Sequence, residues 1–94
     1  AARAIAASGR VDAVVCLGAG IRGETSHYDF VAGECARGIQ DVQLELGVPV
    51  LFGVLTTEDL AQAEARSGGP GSHNVGEECV RTAVEMVTLA RRWE

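Results

Sequence analysis

The 94-residue sequence contains no lysine; eight arginines supply all of its fixed positive charge, against thirteen acidic residues. With a formal net charge of −5, it lacks the clustered basic surface that displaces counterions from a phosphate backbone, which excludes nucleic acid as a partner. Any phosphate group it holds must be met by arginine, by a helix N-terminus, or by both. Aromatic residues are scarce at 4% although 47% of the chain is hydrophobic, so its apolar surface comes from Ala, Val and Leu on short elements, as in a layered α/β fold. No run approaches the roughly 18 consecutive apolar residues of a membrane span, and AARAIAASGR lacks the apolar core and cleavage pattern of a secretory signal. The expectation is a soluble, cytoplasmic protein with no membrane partner. Cys16, Cys35 and Cys79 are odd in number and far apart, with no C-x-x-C, which fits neither a disulfide framework nor a zinc site. Buried, reduced thiols are expected.

The elements follow from periodicity. Ala1 to Ser8 is Ala-rich and stops at Gly9, as the end of a helix does. Val11 to Leu17 is a continuous apolar run of strand length, the pattern of a strand covered on both faces. Gly18 to Ser26 is glycine-punctuated and polar and reads as a loop. A helix is predicted from about Tyr28 to Leu46, with Val31, Cys35, Ile39, Val42 and Leu46 on one face and Gly47 as its stop. Val48 to Val54 repeats the buried-strand signal. Thr56 or Thr57 would cap a short helix from Glu58 to about Arg66, the glycine-rich stretch Ser67 to Asn74 would be a surface loop, and a last helix would run from about Gly76 to Arg92 on the apolar positions Val80, Ala83, Val84, Val87 and Ala90.

This order predicts one α/β domain over residues 1–94, a parallel sheet flanked by helices in a three-layer α/β/α, flavodoxin-like arrangement. Two strands are too few for an open parallel sheet, so further strands are expected from an upstream segment or a partner chain. In such sheets ligands bind beyond the carboxyl ends of the strands, which draws attention to Gly18–His27 and to Leu55–Thr57. Gly18-Ala19-Gly20-Ile21-Arg22-Gly23 matches G-x-G-x-x-G after a strand, but the acidic residues about 20 positions on, Asp41 and Glu45, fall inside the predicted helix rather than at the end of the next strand. A nucleotide-binding α/β domain is thus the minor reading. His27, Asp29 and Glu24 offer no compact set at a metal-ligand spacing, and neither a metal nor a cofactor is expected. On residue type alone, His27 at a helix start is a cap or surface residue, Phe52 in a strand is core, and Arg66 near a helix C-terminus answers the helix dipole as readily as it would bind phosphate. His73 and Asn74 read as surface, and Trp93 as a packing or subunit contact.

In combination, GAGIRGETSHYDFV (18–31), GVPVLFGVLTT (47–57), QAEARS (62–67), NVG and VEMVTL resemble the lumazine synthase family of riboflavin biosynthesis over nearly the whole chain. The resemblance implies the condensation of 5-amino-6-(D-ribitylamino)uracil with 3,4-dihydroxy-2-butanone 4-phosphate, without a cofactor. It further implies that His27 transfers protons, and that Glu24 and Thr25 lie where the loop holds the phosphate. Arg66 would add a cation to that phosphate, Ala19, Gly20 and Ile21 would line the uracil and ribityl site, and Phe52 would stack on the pyrimidine. Family assemblies, from pentamers to icosahedral shells, share sites between adjacent subunits, with Phe52 and Arg66 arriving from the neighbour. Riboflavin synthase is an implied partner, and a non-catalytic shell subunit of the same family is the alternative. The chain would correspond to the C-terminal two-thirds of such a protein, truncated at its N-terminal strands. Two departures stand out. The loop before the last helix has none of the lysines common in the family, and Gly20 replaces a more usual β-branched residue.

Overall fold

Val14 and Val15 begin β1 (Val14–Ile21), which pairs in parallel with β2 (Val50–Thr57) along its whole length, from Val14 opposite Val50 to Ile21 opposite Thr57. The computed structural model describes residues 1–23, 26–68 and 73–94. Around the strands lie α1 (Ala2–Ala7), α2 (His27–Leu46), α3 (Leu60–Ala65) and α4 (Val75–Arg91). The fold is therefore α/β with a parallel sheet flanked by helices, as the sequence implies. Among the described residues the sheet has two strands.

Strand alternation assigns the faces. A Cβ on Gly20 would lie 3.6 Å from Tyr28 Cε2 of α2, whereas one on Gly53 would lie 3.1 Å from Cys79 Sγ of α4. Paired residues in a parallel ladder point the same way, so Cys16, Gly18 and Gly20 face α2 and Leu17, Ala19 and Gly53 face α4. Gly53 is required by this packing, because its Cβ would also stand 2.9 Å from the Cys16 carbonyl oxygen and 2.7 Å from Leu17 Cδ2. Gly53→Ala is expected to destabilise the fold by about 1–3 kcal/mol through overpacking, a loss that thermal melting would register.

Both strands are displaced from their expected positions. β1 runs on through Gly18, Ala19, Gly20 and Ile21, residues that read locally as loop, and β2 runs through Leu55, Thr56 and Thr57. The ladder overrides weak local propensity here, since each extension pairs with the other. Thr56 and Thr57 are consequently strand and not helix caps. The Thr57 hydroxyl, almost fully buried, donates to the Asp59 carbonyl at 3.1 Å, while Asp59 caps α3 by accepting from the Gln62 N–H at 2.8 Å. Asn74, read as a surface residue, is the N-cap of α4, accepting from the Glu77 N–H at 2.9 Å and donating to the Gly68 carbonyl at 2.6 Å. Gly47 ends α2 with φ 66°, the left-handed conformation that suits glycine.

Few side chains are shielded. Among the described residues the buried apolar ones are Ala6, Val50, Ala63 and Cys79. Cys16 and Cys35 are half-buried rather than buried. Burial pushes the Cys16 and Cys79 thiols above their ordinary pKa, with smaller contributions from Cys35 and Glu78 respectively. That keeps them protonated and poorly nucleophilic. The inward stripe of α4 is Cys79, Ala83 and Val87, while Val80 and Val84, expected on the same face, are exposed. Phe30, Leu44 and Trp93 also stand in solvent, Trp93 at 85% exposure.

Candidate active site

Parallel pairing brings the carboxyl ends of β1 and β2 to one edge, and α2 starts at that edge with His27. A cavity of about 370 Å³ opens there, within the roughly 300–1,000 Å³ typical of small-molecule clefts. Its wall combines Ala19, Gly20, Ile21 and Gly23 with His27, Tyr28 and Val31 of α2 and Val54 and Thr56 of β2. The lining is thus mainly apolar with a few polar groups at one end. The positive end of the α2 dipole meets the cavity at that same end, which favours an anionic group there.

Four of the residues singled out in the sequence therefore converge: Ala19, Gly20, Ile21 and His27. Glu24 and Thr25 lie outside the described residues. Phe52 and Arg66 do not join this cavity. Phe52 pairs with Cys16 lower on the sheet and is 38% exposed, so it is not the core residue its strand position suggests. Arg66 lines a separate cavity of about 230 Å³ with Leu17, Gly53 and Asn74, on the α4 side of the sheet. There its Nη1 donates to the Gln62 carbonyl at 3.1 Å, and its own carbonyl accepts from the Val75 N–H at 2.9 Å. Among the described residues it is the one half-buried arginine and has no carboxylate partner, so its charge is available to an anion.

Because Gly18, Ala19 and Gly20 are strand, paired with Val54, Leu55 and Thr56, they do not form the strand-to-helix turn on which the dinucleotide fingerprint depends. Among the described residues no group of His, Cys, Asp and Glu is placed to hold a metal, and no helix is long and apolar enough to cross a membrane.

Arg22 is the feature that sequence reading passes over, placing it only within the glycine pattern of Gly18 to Gly23. It donates to Asp29, forms an ion pair with Glu58 and lies 5.0 Å from the Tyr28 ring centroid. The signal was present in principle: parallel strands put the residues just after each strand side by side, and Arg22 and Glu58 occupy those positions.

The profile of the 6,7-dimethyl-8-ribityllumazine synthase family matches residues 1–91. The chain is 56% identical over 91 residues to the 6,7-dimethyl-8-ribityllumazine synthase of Gloeobacter violaceus, covering 97% of this chain and 49% of that protein. It is 53% identical to the same-named protein of Edwardsiella ictaluri and 49% identical to that of Synechocystis sp., in each case over 95% of this chain and 56% and 53% of the relative. The chain thus spans about half the length of the curated relatives it matches, rather than the two-thirds expected from sequence.

Proposed function

The chain belongs to the 6,7-dimethyl-8-ribityllumazine synthase family, and from that premise we propose that it forms part of an enzyme that condenses 5-amino-6-(D-ribitylamino)uracil with 3,4-dihydroxy-2-butanone 4-phosphate. The observation that carries this reading is the shared cavity of His27 with Ala19, Gly20 and Ile21 at the carboxyl edge of the sheet. In this reading the aminouracil lies along the end of β1, and the sugar phosphate directs its anion toward the start of α2, where Glu24 and Thr25 follow the strand.

The chemistry matches these groups. The amine adds to the ketone and water leaves to give an imine. Phosphate is then eliminated, and ring closure with loss of a second water gives the lumazine. Each step moves a proton, and an imidazole can take and return protons near neutral pH. His27 would accept the proton released by the attacking amine and return one to the departing water. Holding both substrates in a reactive geometry contributes more, on the order of 7–11 kcal/mol for well-aligned partners.

Arg66 and Phe52 serve a site in this reading only across a subunit boundary, because neither lines the His27 cavity of its own chain. We therefore place the protein in a homo-oligomer with sites shared between neighbours. The exposed Phe30, Val84 and Trp93 are apolar surface of the kind that such contacts cover. Pentameric or icosahedral assembly, riboflavin synthase as a partner and a cytoplasmic location belong to the same proposal. Mixing the assembled protein with both substrates should generate lumazine fluorescence that depends on each of them. An assembly of the expected mass that gives no product would instead make this a shell subunit without activity.

A further inference from the structure

Arg22 follows the last residue of β1, and its main-chain N–H donates to the Thr57 carbonyl at 2.8 Å, pinning it to the end of β2. Its guanidinium then reaches two further segments. Nη2 donates to Asp29 Oδ1 at 2.7 Å in the first turn of α2, and Nε approaches Glu58 Oε2 at 2.9 Å in the turn that leaves β2. The same group lies 5.0 Å from the centroid of the Tyr28 ring. Tyr28 and Asp29 are the residues next to His27, so one side chain ties the start of α2 to the ends of both strands.

Charge decides what this cluster does. Two carboxylates face one cation, and the hydrogen bond that Arg22 donates to Asp29, followed by the charge of Asp29 and that of Glu58, holds the Arg22 pKa above its ordinary value. With Asp29 and Glu58 already against it and a local excess of negative charge, the guanidinium is not set to receive a phosphate. Nor is stability its main contribution: Arg22, Asp29 and Glu58 are 38%, 54% and 62% exposed, and exposed pairs stabilise little. What the fork supplies is direction, because guanidinium geometry fixes two partners at once in a way that a lysine ammonium does not.

We propose that Arg22 is a positioning residue that locks the first turn of α2 against the ends of β1 and β2 and so sets where the His27 side chain stands in the cavity. This rests on the proton-transfer role proposed for His27, and its test separates the two. In the assembled protein, Arg22→Gln and Arg22→Lys should each lower kcat by about tenfold, with KM for both substrates within about twofold. In a His27→Ala background, Arg22→Gln should change kcat by less than about twofold, because the group it positions is gone. In the 94-residue chain, amide exchange in the first turns of α2 should accelerate by about three- to fivefold in Arg22→Gln, as the loss of exposed ion pairs allows, while α4 is unaffected. A raised KM for the sugar phosphate with kcat held would make Arg22 a ligand and overturn the proposal. Equal losses in both backgrounds, or unaltered exchange in α2, would overturn it as well. If the unsubstituted protein forms no lumazine, the reading of function fails and the exchange measurement alone decides the clamp.

Discussion

Replacing His27 with alanine in the assembled protein is expected to lower kcat by about 10²-fold, the lower end of what acid–base help supplies, while leaving KM for each substrate within about threefold. The reason is exposure. His27 lines the cavity and is exposed to solvent, so water can relay protons in its absence. Alignment of the amine and the ketone depends on Ala19, Gly20, Ile21 and the strand ends, none of which the substitution disturbs. Steady-state kinetics would settle the ranking. Turnover falling below detection with substrate binding intact would place proton transfer above positioning.

Arg66→Ala is expected to raise KM for the sugar phosphate by about 10- to 100-fold, the value of one charge-assisted hydrogen bond, with KM for the aminouracil little changed. In the proposed site the phosphate would depend heavily on this group, because the chain has no lysine. Within its own chain Arg66 gives up only the bond from Nη1 to the Gln62 carbonyl, so folding should be nearly unaffected. An unchanged KM for the phosphorylated substrate would remove Arg66 from the site.

What the sequence discloses about this molecule is mostly its local chemistry. Gly47 after Leu46 announces the end of α2, and the continuous Val-rich runs announce two parallel strands, although the cover they imply on both faces is missing within this chain, where no residue of β1 is buried. Boundaries set by pairing are hidden. Gly18 to Gly20 look like loop until β2 is seen alongside them, and Thr56 and Thr57 look like caps until the ladder claims them and passes the cap to Asp59. The face of α4 is hidden for a similar reason. Val80 and Val84 fit an apolar stripe as well as Cys79, Ala83 and Val87 do, and only contact with Gly53 decides between them. At the site, Ala19, Gly20, Ile21 and His27 could be grouped from sequence because one strand-to-helix connection carries them all. Arg22 with Glu58 could not, since that pair forms only once two strands lie side by side. Phe52 and Arg66 were legible by resemblance alone, and because neither lines the His27 cavity of its own chain, their proposed role requires a neighbouring one.

That separation gives the most direct test. His27→Ala and Arg66→Ala chains, unfolded together in equal amounts and reassembled, should be assayed for lumazine formation at a low concentration of the sugar phosphate. If His27 of one subunit works with Arg66 of the next, about a quarter of the interfaces in a randomly mixed ring regain both groups, and activity should rise to about a quarter of the unsubstituted rate. A rate no higher than the average of the two variants assembled separately would contradict a site built between chains.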